Sequence, residues 1–419
     1  MHKPVRVPDL WSSDRGSERS IDLWESSRRP ELLRLFADHV YGRTPPGGRL
    51  DDLITTSRTD HALNGSAIRI EAELVLAGPS GAKTVSLLIY APASAAGHPA
   101  PAFLGLNFQG NQAVSPEPDV RPAATTEAIG AAHGRDPVAP GAESRRWPLD
   151  LIIERGYAVA TICYEDLEID LPGYAESGVR GLFPRGSERS ASDWGAIGGW
   201  AWGLSRALDA LTEIDEIDDR RMIAVGHSRL GKTALWAAAQ DQRFAGVISN
   251  ESGCGGASLF RHRGIEDVDV ITAARPHWFA PRFADYRGID EQLPVDQHQL
   301  LALQAPRLTH VGSALLDAGA DPAGEFLSTL YASPIFELYG HQGTRPAGAD
   351  QAVVDRWSQQ HAAILPPPDQ TIGGRLSYHL RDGEHDMLAE DWRHLLTVTD
   401  QHLGIIAEPR RSPTSHFRR

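Results

Sequence analysis

Three short stretches carry residues suited to chemistry. The first is "MIAVGHSRLGKTALWAAA", residues 222–239, in which Ser228 stands between an apolar run and an alanine-rich one. The apolar run has the length of a buried strand, and the alanine-rich run has the composition of a helix packed on a sheet. A serine at a strand-to-helix turn flanked by glycines is the layout of a nucleophile elbow, whose usual spacing is G-x-S-x-G. Here Leu230 takes the second glycine's place and Gly231 follows one position later. On these residues alone, Ser228 reads equally as a nucleophile or as the N-cap of an ordinary helix.

The other two stretches tip that balance. Glu251 directly follows the strand-like "FAGVISN" (244–250), and His385 follows "RLSYHL" (375–380) after the short loop "RDGEHD". In open α/β sheets the active groups gather outside the carboxyl ends of the strands. The chain order serine, acid, histidine is the one expected of an α/β hydrolase. A serine hydroxyl needs an adjacent base to take its proton, and a histidine oriented by a carboxylate is such a base.

These groups must be positioned by a scaffold, and its elements are readable. "ERSIDLWESSRRPELLRLFADHVY" (18–41) reads as an amphipathic helix with a start signal, Ser27 and Pro30, in its middle. "SAIRIEAELVLAG" (66–78) and "KTVSLLIYAP" (83–92) read as two strands of an antiparallel lead-in. "AFLGLNF" (102–108) and "YAVATICY" (157–164) are buried-strand runs with a helix near "WPLDLIIERG" between them. "DWGAIGGWAWGLSRALDAL" (193–211) reads as a helix capped by Ser192 or Asp193, and "LTHVGSALL" (308–316) as a further strand. Strands alternating with helices imply a three-layer α/β sandwich around a mostly parallel sheet. No linker or internal repeat divides residues 1–419, so one domain is expected, with a helical lead-in over 1–45 and a loose tail at 408–419. The Pro-, Ala- and Gly-rich stretch 111–144 reads as a long surface loop of the kind that covers active sites.

Composition narrows the partners. A net charge of −14 argues against nucleic acid or an anionic membrane surface. Cys163 and Cys254 make no disulfide framework and fit no zinc spacing; Cys163, in an apolar run, reads as core. "MHKPVRVPDL" holds no apolar leader, and no run is long enough to span a membrane, so the chain as written reads as cytoplasmic. Only three of the 41 basic residues are lysines, and one of them, Lys232, lies four residues past Ser228. A compact ammonium in an arginine-rich chain suggests a task that a planar guanidinium cannot serve, with chance placement in a helix turn as the alternative.

Taken together, "RRPELLRLFADHVYGRTP", "FLGLNFQGN", "RGYAVATICYED", "DWGAIGGWAWGLSRALD", "GHSRLGKTALWAAA", "NESGCGGA", "PHWF" and "RDGEHDMLAEDW" resemble the glucuronoyl esterases. These carbohydrate esterases cleave esters of 4-O-methyl-glucuronate in xylan and have the α/β-hydrolase fold. The likeness spans nearly the whole chain, and the G-x-S-R-x-G-K form around the serine is specific to that family. It implies Ser228 as nucleophile, Glu251 in E-S-G-x-G-G as the acid, His385 as the base and Arg229 as a support for the oxyanion. It also implies that Lys232 and Glu266 bind uronate hydroxyls, that no metal or cofactor is needed, and that the partner is a glucuronoxylan-derived ester. Members are often secreted, which stands against the cytoplasmic reading.

Several residues keep a plainer reading beside this one. Glu266, in "RHRGIED", fits a salt bridge to Arg261 or Arg263 nearly as well as sugar binding. Trp278 in "PHWF" suits the core or a sugar platform, and the acidic run "EDLEID" (165–170) reads as a solvated turn. The chain also departs from its relatives. Fungal members often carry cysteines beside the serine and the histidine, forming a disulfide; here those positions are His227 and Asp386, and a His–Asp hydrogen bond is expected as the substitute. Some bacterial members have E-D-x-W-A-D-P after the seventh strand, whereas this chain reads "LLDAGADP", with Gly319 at the tryptophan position and Asp317 as a second candidate acid near His385. The expected activity is hydrolysis of glucuronate esters through an acyl-enzyme. The rivals are an acetyl-sugar or general carboxylesterase and a non-catalytic carbohydrate-binding protein on the same scaffold.

Overall fold

The apolar runs of this chain lack the alternation of half-exposed strands, because the sheet they build is covered on both faces. The structure, a computed structural model, describes residues 5–11, 19–122, 138–184, 190–346, 348–358 and 364–405. Ten strands form one sheet: β1 (Arg49–His61), β2 (Ala67–Gly78), β3 (Gly81–Pro92), β4 (Ala100–Asn107), β5 (Ala158–Cys163), β6 (Ile217–His227), β7 (Gly246–Asn250), β8 (Leu308–Ala314), β9 (Gln370–Gly373) and β10 (Leu376–Arg381). Their order is β1-β2-β3-β5-β4-β6-β7-β8-β10-β9. β1, β2, β3 and β5 pair antiparallel, as the expected lead-in requires, and β5 through β10 pair parallel across β4, β6, β7 and β8.

Successive residues of the central strands feed opposite faces, as the period of two dictates. Leu104, Ala224 and Val247 join the core with Trp200, Trp236 and Leu330, on the helices Ala196–Leu211, Arg229–Gln240 and Pro322–Leu338. Phe103, Val225 and Ile248 join the opposite core with Ile152 and Trp392, on Leu149–Glu154 and Ala389–Leu403. This is the α/β-hydrolase arrangement, a mostly parallel sheet between two helical layers. Among the described residues no helix is long and apolar enough to cross a membrane.

Some local expectations need correction. The first helix runs through Pro30 instead of restarting there: a wide turn over Trp24–Arg28 lets the Arg29 N–H reach Trp24 O, so the proline interrupts nothing. The helix Ala196–Leu211 begins after Gly195, with no side-chain cap from Ser192 or Asp193. The stretch 111–144 is not simply surface, since Asn111, Gln112, Val114, Ser115 and Glu143 are buried; its middle, 123–137, and the tail 408–419 lie outside the described residues. "EDLEID" is no solvated turn either. Glu168 is buried against Arg180, and the Asp170 side chain, 5% exposed, is enclosed by cationic and N–H donors described below. Both cysteines are buried, and neither forms a disulfide among the described residues.

Candidate active site

β6 ends at His227, and Ser228 turns the chain directly into the helix Arg229–Gln240 with φ 57° and ψ −131°. A non-glycine residue in that region stores about 1–3 kcal/mol of backbone strain and persists only where packing on both sides enforces it. The packing here is tight. A Cβ at Gly226 would run into Leu230 O, and one at Gly231 would lie 3.0 Å from both Gly226 O and Ser252 Cβ. Leu230 meanwhile is buried in the core. The glycine shifted by one place is thus the residue that faces β7 and its following loop. The Ser228 N–H donates to Asn250 O at 2.9 Å, tying the elbow to the end of β7. The first N–H groups of the helix have no intrahelical acceptor and give its N-terminus a partial positive charge.

Ser228 lines a cleft of about 260 Å³ together with Arg229, Lys232, Glu251, Ser252, Glu266, Arg275, Trp278, Asp317, Gly319 and His385. Every candidate residue from the sequence therefore converges on one place. A larger cavity, about 1220 Å³, lies beside residues 6–11 and the helix Pro322–Leu338 and contains none of them.

His385 is flanked by two carboxylates. Its Nδ1–H donates to Asp317 Oδ2 at 2.5 Å, and Glu251 Oε2 stands 3.3 Å from the same nitrogen. Burial alone would lower the histidine's pKa, but the hydrogen bonds and charges of Asp317 and Glu251 overturn this and hold it at about 9. Burial pushes Glu251 up to about 7, against the pull of His385 and Arg381. Burial acts the same way on Asp317, yet its bond to His385 wins and its pKa is lowered. The second acid is thus the nearer one. Glu251, Asp317 and His385 also offer ligand atoms within 4.8 Å of one another, the spacing of a small cation site; the hydrogen bonds they already make account for their placement.

Glu251 begins the loop after β7 with φ 47°, and its carboxylate accepts from Arg381 Nη2 (2.8 Å) and the Asp386 N–H (3.0 Å). The loop is held from below by Glu325, whose Oε1 accepts the N–H groups of Ser252 and Gly253 at 2.8 and 2.9 Å. Lys232 is buried, with Nζ donating to Ser252 O at 2.6 Å and to Glu266 Oε1 at 3.2 Å. Glu266 is therefore paired with Lys232, not with Arg261 or Arg263. Arg229 is paired with Asp170 and lies 4.9 Å from the Trp278 ring centroid. Asp170 also accepts from His277 Nε2 and Trp278 Nε1, at 2.8 and 2.5 Å. Trp278 is 4% exposed and lines the cleft, so it serves as packed wall and cleft surface at once. A Cβ at Gly319 would touch only Asp317 Oδ1, at 3.4 Å, so that side of the cleft is open.

The expected His227–Asp386 hydrogen bond does not form. The Asp386 carboxylate is taken by Arg145 Nε and Arg146 Nε, at 2.8 and 2.6 Å. His227 Nδ1 instead accepts from Asn250 Nδ2 at 3.2 Å, and its ring packs against that of His385 with centroids 4.5 Å apart and planes tilted by 38°. Burial, then the charge on His385, holds its pKa well below the ordinary histidine value, so it packs there as a neutral ring. Asp170, Arg146, Arg381 and Glu325 were not singled out in the sequence. The only signal for Asp170 was the acidic run that reads as solvated.

A family model described as "Glucuronyl esterase, fungi" matches residues 148–340. A carbohydrate esterase of an unknown prokaryotic organism is 36% identical over 92% of this chain and 86% of its own length. The structure of a glucuronoyl esterase from Solibacter usitatus superposes with a TM-score of 0.81 at 34% identity, covering 95% of this chain and 98% of that one. A promiscuous CE15 esterase from a marine bacterial metagenome gives the same TM-score at 35% identity, over 95% and 97% of the two chains. With an α/β-hydrolase sheet, a strained serine elbow and relatives alike along almost their whole length, the chain belongs to the glucuronoyl esterase family of carbohydrate esterases.

Proposed function

We propose that this protein hydrolyses esters of glucuronic acid or its 4-O-methyl ether, as found on glucuronoxylan, through an acyl-enzyme on Ser228. The observation that carries the reading is the convergence, in one cleft, of a serine held at positive φ, a histidine held by two carboxylates and a buried lysine paired with a partly exposed glutamate. His385 takes the Ser228 proton as the oxygen attacks the ester carbon at C6 of the sugar. The carboxylates of Asp317 and Glu251 hold the imidazole's tautomer and stabilise the imidazolium. The oxyanion is met by first-turn N–H groups of the helix starting at Arg229, with the Arg229 guanidinium close by; such donors contribute about 3–4 kcal/mol each. The imidazolium then returns its proton to the leaving alcohol, and the same histidine activates water to release glucuronate.

Lys232 and Glu266 offer one donor and one acceptor to ring hydroxyls, and Trp278 offers an apolar face. The open side at Gly319 supports a second reading, a broader carboxylesterase. Steady-state kinetics on methyl glucuronate, benzyl glucuronate and acetylated xylose decide between them. The first reading expects glucuronate esters to have the higher kcat/KM, and preference for the acetyl ester would replace it with the second. Labelling of Ser228 by a fluorophosphonate, read by mass spectrometry, separates both from a non-catalytic carbohydrate-binding protein.

A further inference from the structure

β10 ends at Arg381, and the chain then turns through residues 382–386 to deliver His385 to the cleft. Arg381 is 4% exposed, and its guanidinium runs back beneath that turn. Its Nη1–H donates to Asp382 O at 2.9 Å, and its Nη2–H groups reach Glu384 O and Asp386 O at 2.8 and 3.0 Å. The same Nη2 lies 2.8 Å from Glu251 Oε1, and Nε lies 3.1 Å from Asp391 Oδ2. Gly383, at φ 108°, lets the turn close over the arginine, since a Cβ there would stand 2.8 Å from Nη1. Asp391 is itself fixed: it accepts the Leu388 N–H at 2.7 Å and bonds His379 Nε2 at 2.9 Å. Behind it, His379 Nδ1 meets His310 Nε2 at 2.7 Å, and His310 Nδ1 meets Ser377 Oγ at 2.8 Å. A fully buried polar chain thus stands directly behind the candidate acid.

We propose that Arg381 is a positioning residue of the esterase: one buried guanidinium sets both the turn that carries the base His385 and the carboxylate of Glu251 that faces it. The proposal rests on the serine-esterase reading above. Glu251 is faced by His385 and the Asp386 main chain from the turn, by Asp317 after β8, by Glu325 from the helix Pro322–Leu338 and by Asp391 from the last helix. Arg381 and His385 are the cations in that set, while Asp317, Glu325 and Asp391 are like charges. Desolvation and like charges both favour a neutral carboxyl, and an adjacent cation opposes them. Without the guanidinium Glu251 takes up a proton, and His385 then faces one carboxylate in place of two. Its basicity falls, and with it the pH at which the unprotonated base becomes available.

The test is the rate of Ser228 labelling by a fluorophosphonate as a function of pH, alongside kcat and KM on methyl glucuronate, for wild type, Arg381→Met, Arg381→Gln and Arg381→Lys. On the plateau above its acid limb Arg381→Met is expected to label at least about tenfold more slowly, with that limb moved about one unit toward lower pH and kcat affected more than KM. Arg381→Lys, which keeps the charge, is expected to restore the position of the limb without the full rate. A purely architectural arginine would lower the melting temperature and leave the limb in place. A folded Arg381→Met with an unmoved limb and a plateau rate within twofold of wild type overturns the proposal. If that variant does not fold, Arg381→Gln, which keeps donors for the turn carbonyls, carries the same comparison. Labelling needs only the nucleophile and its base. A wild-type protein that labels at Ser228 but leaves glucuronate esters uncut therefore breaks the substrate reading alone, and the limb still decides on Arg381.

Discussion

The two halves of this cleft are built by different means. The serine side is local: β6, Ser228 and the following helix occupy residues 217–240, and backbone contacts at Gly226 and Gly231 hold the serine in place. The histidine side is assembled from afar. Residues near 146, 251, 317, 325, 381 and 391 meet around His385, and side-chain charges do most of the holding. Steric packing has one solution, so a change there removes the function outright. A charge network has several near-equivalent arrangements, so a change there is expected to retune the function first.

The largest expected effect tests the packed half and the base together. Ser228→Ala and His385→Ala should each lower kcat on methyl glucuronate by about 10⁴-fold or more, leaving what binding and oxyanion donors supply. Circular dichroism confirms folding, and a variant keeping a tenth of wild-type kcat refutes the triad.

Next come the two acids, where the contrast is sharpest. Asp317→Ala and Glu251→Ala should each cost about 10- to 10²-fold in kcat, with Asp317→Ala the more damaging because it stands nearer to Nδ1. The double variant should lose more than the sum of the two free-energy penalties, since each carboxylate covers for the other. Strict additivity in that cycle means they do not share the histidine.

The pH profile follows with its sign fixed. Only neutral His385 can accept the serine proton, so the acid limb of kcat/KM should fall as pH drops through about 9. Asp317→Asn should move the limb to lower pH by about one unit or more, through loss of an adjacent negative charge. The raised value also means that this histidine adds to stability fully below its unfolded pKa of about 6.5, a contribution lost as pH rises through about 9.

Smaller still is Lys232→Arg. A planar fork does not fit between Ser252 O, Glu266 and the Trp278 ring, so kcat/KM on glucuronate esters should fall about tenfold while phenyl acetate is spared. Equal losses on both substrates would assign Lys232 to the elbow's architecture.

The same division explains what could be read from the chain. Ser228, its helix and the buried strands are contiguous, so composition and period reveal them. β1 and β9 escaped because both lie at the sheet edges: β1 is mostly exposed and rich in charge, and β9 spans four residues. His385 and Glu251 were legible through their places after strands. Arg381, Arg146 and Asp170 were not, because nothing in an arginine's or aspartate's neighbours tells which distant ion it meets. Asp170 shows the hazard, since acidic runs are ordinarily solvated and this one is buried beneath Arg229 and Trp278. The His227–Asp386 pairing failed for a related reason. Proximity in sequence to Ser228 and His385 does not fix which way a carboxylate turns when arginines compete for it.

The link from Asp386 to Arg145 and Arg146 fastens the turn that carries His385 to the segment before the helix Leu149–Glu154 with charge instead of sulfur. Reductants cannot open such a fastening, but ions can. Arg145 is 54% exposed in its side chain and Arg146 19%, so mobile counterions reach one partner more readily than the other. At about 1 M salt the screening length shrinks to roughly 3 Å, comparable to the contact itself. Asp386→Ala should change kcat only a fewfold and remove most of its dependence on ionic strength. The expected coupling of rate to ionic strength is one that a covalent tie at the same two places would not show.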